Sequence, residues 1–204
     1  MNKDSLTKII VSISDIMTEN KEYLVSLDQQ NGDGDLGISM ASGYEAIKHY
    51  IENTDELDLG KILMKCSSLF NEAAPSSLGT ITSFGFMGMA KKLKGKDNVT
   101  FKESVSGLEA GLNKIMEKAK SKPGEKTIID ALYPAIEVLK SYDDGDKKEI
   151  LKVAAQAAAK GSEDTKNMYS VHGRAAYYRD KSIGTLDGGS VVGKLIFEAI
   201  YRCY

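Results

Sequence analysis

The chain of 204 residues is long enough to bury one sizeable core and is expected to form a single domain over residues 1–204. Its 27 Lys and Arg against 29 Asp and Glu leave a formal charge of -2, which excludes the basic footprint of a nucleic-acid-binding protein and favours small molecules or protein surfaces as partners. The N-terminal apolar run is short and ended by Asp15, so neither a signal peptide nor a membrane span is expected, and Cys66 and Cys203 form no CxxC pair; a cytoplasmic protein with incidental or buried thiols follows.

Leu6, Ile9, Ile10, Ile13, Ile16 and Met17 recur at the three-to-four spacing of a buried helical stripe, with Asp4 or Ser5 available to cap its start. The same period returns from Ile38 to Ile51, from Leu59 to Phe70, from Val105 to Ala119 and from Ile128 to Leu139. An Ala-rich run over 147–160 has high helix propensity, and Val191 to Ile200 supplies a last amphipathic segment. Alternating strand patterns are absent. The expected fold is all-α, a bundle of about eight helices.

Function is sought in the turns, because reactive groups tend to sit on loops fixed by a rigid scaffold. In DQQNGDGDLG, Asp28, Asp33 and Asp35 lie within eight residues with Gly32 and Gly34 interleaved, so a tight turn can aim three carboxylates at one point. Magnesium accepts a few carboxylates plus waters and phosphate oxygens. A calcium-binding EF-hand would need Glu at loop position twelve, where Ser39 or Tyr44 falls instead. The loop runs into the helix from Ile38, whose first amides can face an anion beside the metal. Spacing alone leaves open a solvated Asp/Gly turn that caps a helix, the role expected of Asp143 to Asp146.

The other turns are weaker. AAPSSLGT offers Ser76, Ser77 and Thr80 near a helix start, with Gly79 allowing close approach, yet reads most simply as a helix cap. PGEKTIID places Thr127 as a cap and Asp130 in a first turn. Arg174 can neutralise phosphate or make a surface salt bridge, and Asp187 with Gly188 and Gly189 forms a tight turn. His49 and His172 are read as surface or packing residues, His172 lacking an obvious carboxylate to orient it.

Taken in order, LDQQNGDGDLG, SSLGT, GEKTIIDALYP and HGRAAYYRDKSIGTLDGG resemble the L subunit, the ADP-binding subunit, of bacterial dihydroxyacetone kinases over nearly the whole chain. The resemblance implies a barrel of eight antiparallel helices with the nucleotide at one end. It implies that Asp28, Asp33 and Asp35 hold two Mg2+ ions bridging the phosphates of ADP or ATP, that Gly37, Ile38 and Ser39 bring amides to them, and that Leu36 is among the cofactor-binding residues. Ala74, Ser76, Ser77 and Thr80 would line the nucleotide, Arg174 would lie close to it, and Asp187, Gly188 and Gly189 would line its ribose or adenine side. No protein nucleophile is implied. An M-type phosphohistidine donor subunit would recharge the nucleotide, a K-type subunit would hold the triose, and a homodimer is compatible with the family.

The pattern also departs from the family. NEAAPSSLGT stands where GGASG usually precedes GT, GRAS becomes GRAA at Ala176, and DPGA becomes DGGS over Asp187 to Ser190. These differences suggest a divergent paralogue, serving a different ketose or polyol kinase, using exchangeable ATP, or acting in regulation. A non-catalytic Mg-nucleotide sensor and a helical calcium module are the competing readings.

Overall fold

The computed structural model describes the chain from Met1 to Tyr204 apart from residues 31, 143, 144, 174, 175, 178, 179 and 181. The described residues hold nine α-helices: α1 (Lys3–Glu19), α2 (Lys21–Asp28), α3 (Leu36–Asn53), α4 (Leu59–Ala73), α5 (Ser77–Leu93), α6 (Phe101–Ala119), α7 (Ile129–Lys140), α8 (Lys147–Asp164) and α9 (Gly188–Arg202). A short 3₁₀ turn, Thr165–Asn167, follows α8.

Eight of these helices close a ring. Helix α1 packs on α3, each helix from α3 to α8 packs on the next, and α9 returns to α1, while α2 lies outside against α3 and α9. Short connections make most neighbours antiparallel, as in the barrel that the family resemblance implies. Buried apolar residues from the eight walls fill the ring, where Tyr44 of α3 meets Phe70 of α4 edge-on at 4.9 Å and Phe86 of α5 at 6.4 Å. Cys66 is one of these core residues, and burial pushes its thiol up to about 12, so it behaves as a small apolar side chain.

Two helices escaped the periodicity. Helix α2 spans only eight residues and buries just Leu24 and Leu27, too few for a stripe, and Asn20 divides it from α1. In α5 the inward face carries Gly79, Gly85 and Gly88 beside Thr82 and Ser83, so close helix packing replaces the large apolar residues that mark a stripe.

The caps also refine the reading. At α1 the cap is Asn2, whose side chain accepts from the Ser5 amide at 3.1 Å while the Ser5 hydroxyl accepts from the Asn2 amide at 2.8 Å. Ser5 thus completes a reciprocal capping box three residues inside the helix instead of capping it. Asp146 caps α8 as expected, accepting from the Lys148 amide at 3.0 Å, whereas Asp143 and Asp144 lie outside the described residues.

Candidate functional site

The acidic loop connects the end of α2 to the start of α3. Asp28 ends α2, and its Oδ2 accepts from the Gly34 amide at 2.8 Å and, more weakly, from the Leu36 amide at 3.5 Å, pulling the loop back over the helix end. Gly34 makes this reversal possible with φ +79°, in the left-handed region that a side chain disfavours. The outcome is convergence. Asp28, Asp33 and Asp35 each present a carboxylate oxygen within 4.8 Å of the others, Asp28 partly buried and the other two exposed.

This arrangement bears on the alternative of a helix-capping turn. Asp35 occupies the N-cap position of α3, yet its side chain makes no capping hydrogen bond. A carboxylate in that position normally accepts from the second or third amide of the helix. The donor set is all oxygen and charged, which suits a hard cation; oxygens sharing one Mg2+ at about 2.1 Å lie within about 4.2 Å of each other, so a small closure or a second ion accommodates the observed spread.

The remaining segments gather around the start of α3. Ser39 is buried; its hydroxyl donates to the Leu36 carbonyl at 3.2 Å and accepts from the Ser76 hydroxyl at 3.1 Å, tying the AAPSSLGT segment to this helix. Ser76 in turn caps α5, accepting from the Gly79 amide at 3.0 Å, as the sequence suggested. Ser77 and Thr80 are exposed on the first turn of α5, whereas Ala74 is fully buried and its carbonyl accepts from the Ser76 amide at 2.7 Å. Gly79 packs so closely on the Ala74 carbonyl that a Cβ would collide with it, so its close approach is to its own chain. Leu36 and Gly37 are buried, and Ile38 projects outward, half exposed.

From the opposite side comes the first turn of α9. A Cβ built on Gly188 would lie 2.5 Å from the Leu36 side chain, so the starts of α3 and α9 abut, while Gly189 faces the Ile128 backbone. Asp187 caps α9, accepting from the Ser190 amide at 2.6 Å. Its carboxyl is pushed up to about 7, mainly because protein displaces water around it, with the Asp130 and Asp28 carboxylates adding to the rise; the Ser190 amide and the Lys126 ammonium pull the other way. The Asp28 carboxylate thus contributes a minor part of the rise at Asp187. Arg174 lies outside the described residues.

Three features of this region were missed in the sequence. Asp130 lies in the first turn of α7 as expected, but the sequence did not show that it is buried: it is 5% exposed and accepts from the Gly124 amide at 2.6 Å and the Thr127 amide at 2.7 Å, locking the PGEKT turn. His172 does have a carboxylate partner: Glu125 Oε2 stands 2.7 Å from its Nε2, a pairing between residues 47 apart that local inspection could not find. Lys126 is buried, donating to carbonyls of the α8–α9 connection.

Fold and site together define a class of protein: a closed barrel of helices carrying, where two helix N-termini meet, a carboxylate set of the kind that suits hard divalent cations. A family model described as the DAK2 domain matches residues 30–202, and the chain belongs to that family. It is 30% identical to the PEP-dependent dihydroxyacetone kinase 1, ADP-binding subunit DhaL, of Listeria innocua, over 98% of this chain and 96% of that protein. Identity is 24% to the ADP-binding subunit DhaL of the PEP-dependent dihydroxyacetone kinase of Escherichia coli, over 93% and 91%. Among solved structures, the dihydroxyacetone kinase of C. freundii in complex with AMP-PNP and Mg2+ superposes with a TM-score of 0.77 at 22% identity, covering 97% of this chain and 33% of that one. The chain therefore spans about a third of that larger kinase. Among the described residues no helix is long and apolar enough to cross a membrane.

Proposed function

We propose that residues 1–204 form an L-type nucleotide-binding domain, in which Asp28, Asp33 and Asp35 hold Mg2+, as two ions, against the phosphates of ADP or ATP. The observation that carries this reading is the convergence of the three carboxylates beside the N-terminus of α3, where first-turn amides and a positive helix end favour an anion. Leu36, Gly37, Ile38 and Ser39 contribute that helix end. Ser76, Ser77 and Thr80, with the Ala74 backbone, flank it on one side, and Asp187, Gly188 and Gly189 on the other; Arg174 is assigned near the nucleotide by the family resemblance.

Such a subunit acts by positioning and charge neutralisation, since bound Mg2+ offsets the charge of a transferring phosphoryl group and no protein nucleophile is required. The protein's own residues hold the phosphates, orient them and exclude water. The family supports a cytoplasmic kinase subunit that takes a phosphoryl group from an M-type phosphohistidine donor and passes it, through the nucleotide, to a triose or related ketose on a K-type subunit. A homodimer is compatible with this assignment. The competing sensor role makes the same Mg-nucleotide site and differs only in turnover.

Calorimetric titration of the chain, first stripped of any retained nucleotide, with ADP in the presence of Mg2+ tests the site, and a phosphotransfer assay with K-type and M-type subunits tests the role. Binding with turnover is expected. Binding without turnover would favour the sensor, calcium affinity without nucleotide would favour a calcium module, and no binding of ADP or ATP would reject the assignment.

A further inference from the structure

Lys126 is 5% exposed, and its ammonium is directed at backbone carbonyls. Nζ donates to the carbonyls of Ser182 at 2.5 Å, Thr185 at 2.7 Å and Thr165 at 2.9 Å, with Met168 at 3.4 Å a fourth and weaker acceptor. An ammonium has three N–H groups, so the three short bonds use them all. The backbone at Lys126 has φ +61°, a left-handed conformation that costs a residue with a Cβ on the order of 1 kcal/mol and persists only when its surroundings enforce it.

The four acceptors fall into two groups. Thr165 and Met168 belong to the chain leaving α8, and Ser182 and Thr185 to the chain approaching the α9 cap at Asp187. Lys126 therefore ties both ends of the long α8–α9 connection to one point. Neighbouring bonds reinforce the closure: the Gly184 amide donates to the Lys166 carbonyl at 2.7 Å, and the Asp187 amide to the Thr165 hydroxyl at 3.1 Å. Two residues further along, the backbone of Ile128 packs on Gly189. Asp187 and the start of α9 consequently take their place from the 124–128 turn.

We infer that Lys126 is a positioning residue for the ligand site: by clamping the two ends of the α8–α9 connection it fixes Asp187 and the α9 N-terminus against the acidic loop, and so sets nucleotide affinity without touching the nucleotide. The inference rests on the Mg-nucleotide reading above. It distinguishes two halves of the site, because the acidic loop is closed by its own hydrogen bonds and needs no lysine.

The test compares the full chain with Lys126→Met, which removes the donors at similar volume, and Lys126→Arg, which keeps the charge but spreads its donors in a planar fork. In the ligand-free chain, amide hydrogen exchange at 165–168 and 182–187 should accelerate by about tenfold or more in Lys126→Met while α4 to α6 remain protected. Mn2+ affinity without nucleotide, read by electron paramagnetic resonance, should stay unchanged. ADP affinity in Mg2+ should fall by about 10- to 100-fold, the usual effect of removing an outer-shell support, with Lys126→Arg in between. Unchanged ADP affinity in Lys126→Met would overturn the inference, and so would equal losses of Mn2+ and ADP binding, which mark a purely structural role. If Lys126→Met does not fold, Lys126→Arg decides: faster exchange at 182–187 with wild-type ADP affinity overturns the inference. A wild-type chain that binds no ADP would reject the function and the affinity half of the inference together, leaving the exchange data to judge the clamp alone.

Discussion

The two sides of the candidate site are built on different principles. The acidic loop is local: Asp28 accepts amides six and eight residues ahead, glycine supplies the reversal, and the carboxylates lie within eight residues of one another. The opposite side is assembled over distance, with Glu125 reaching 47 residues to His172 and Lys126 reaching 39 to 59 residues to its carbonyl partners. A site with one self-closing wall and one clamped wall should lose function in two separable ways. On the proposed reading, damage to the first wall would remove the metal, and damage to the second would leave the metal and loosen what it holds.

The largest expected effect is on the local wall. Asp33→Asn removes one of three charges from the ligand set and should abolish retention of ADP through purification, as anion-exchange analysis of the denatured protein would reveal. Thermal stability should change little, because Asp33 is exposed. An unchanged ADP content would break the comparison at its strongest point.

A smaller effect is expected on the clamped wall. Asp130 has both carboxylate oxygens engaged by amides in a buried turn, and Asn can replace only one of these acceptors. Asp130→Asn should therefore cost about 1–3 kcal/mol of stability in chemical denaturation, the range for a buried amide left without its acceptor. ADP binding should weaken while Mn2+ binding survives. Loss of both ligands together would show that the two walls are not independent.

This division explains what could be read from the sequence. The helical ring was legible because Leu6 to Met17, Leu59 to Phe70 and their counterparts repeat at the period that buries one face. The acidic loop was legible because its residues are neighbours in the chain, and their types carry the chemistry wherever the turn points. Lys126 was not legible. A lysine beside a turn normally reads as solvated, and nothing in its neighbourhood announces four carbonyls arriving from residues 165 to 185. His172 was misread for the same reason, its Glu125 partner lying 47 residues away, whereas Asp130 was placed correctly in its turn and only its burial was missed. Helix α5 shows the converse limit, since its glycines make intimate packing that erases the apolar stripe.

The smallest effect, and the one that couples the walls, lies in pH. The Asp187 carboxyl is pushed from 3.8 up to about 7, burial being the largest cause, with the Asp130 and Asp28 carboxylates raising it further. Between about pH 4 and about pH 7 the Asp187 carboxyl of the folded chain then holds a proton that the unfolded chain has released, so its contribution to stability falls as pH rises through that window and levels off above it. In the absence of divalent ions, the melting temperature of the wild type should drop by a few degrees relative to Asp187→Asn between about pH 5 and about pH 8. Asn retains an oxygen to accept from the Ser190 amide, so the comparison isolates the charge. Added Mg2+ should reduce this difference slightly, because a cation near Asp28 would offset the minor part of the rise that the Asp28 carboxylate contributes. A pH slope that is the same in both proteins would mean that the Asp187 carboxyl is not raised, and a difference that Mg2+ leaves untouched would mean that the contact between the two walls is one of packing alone.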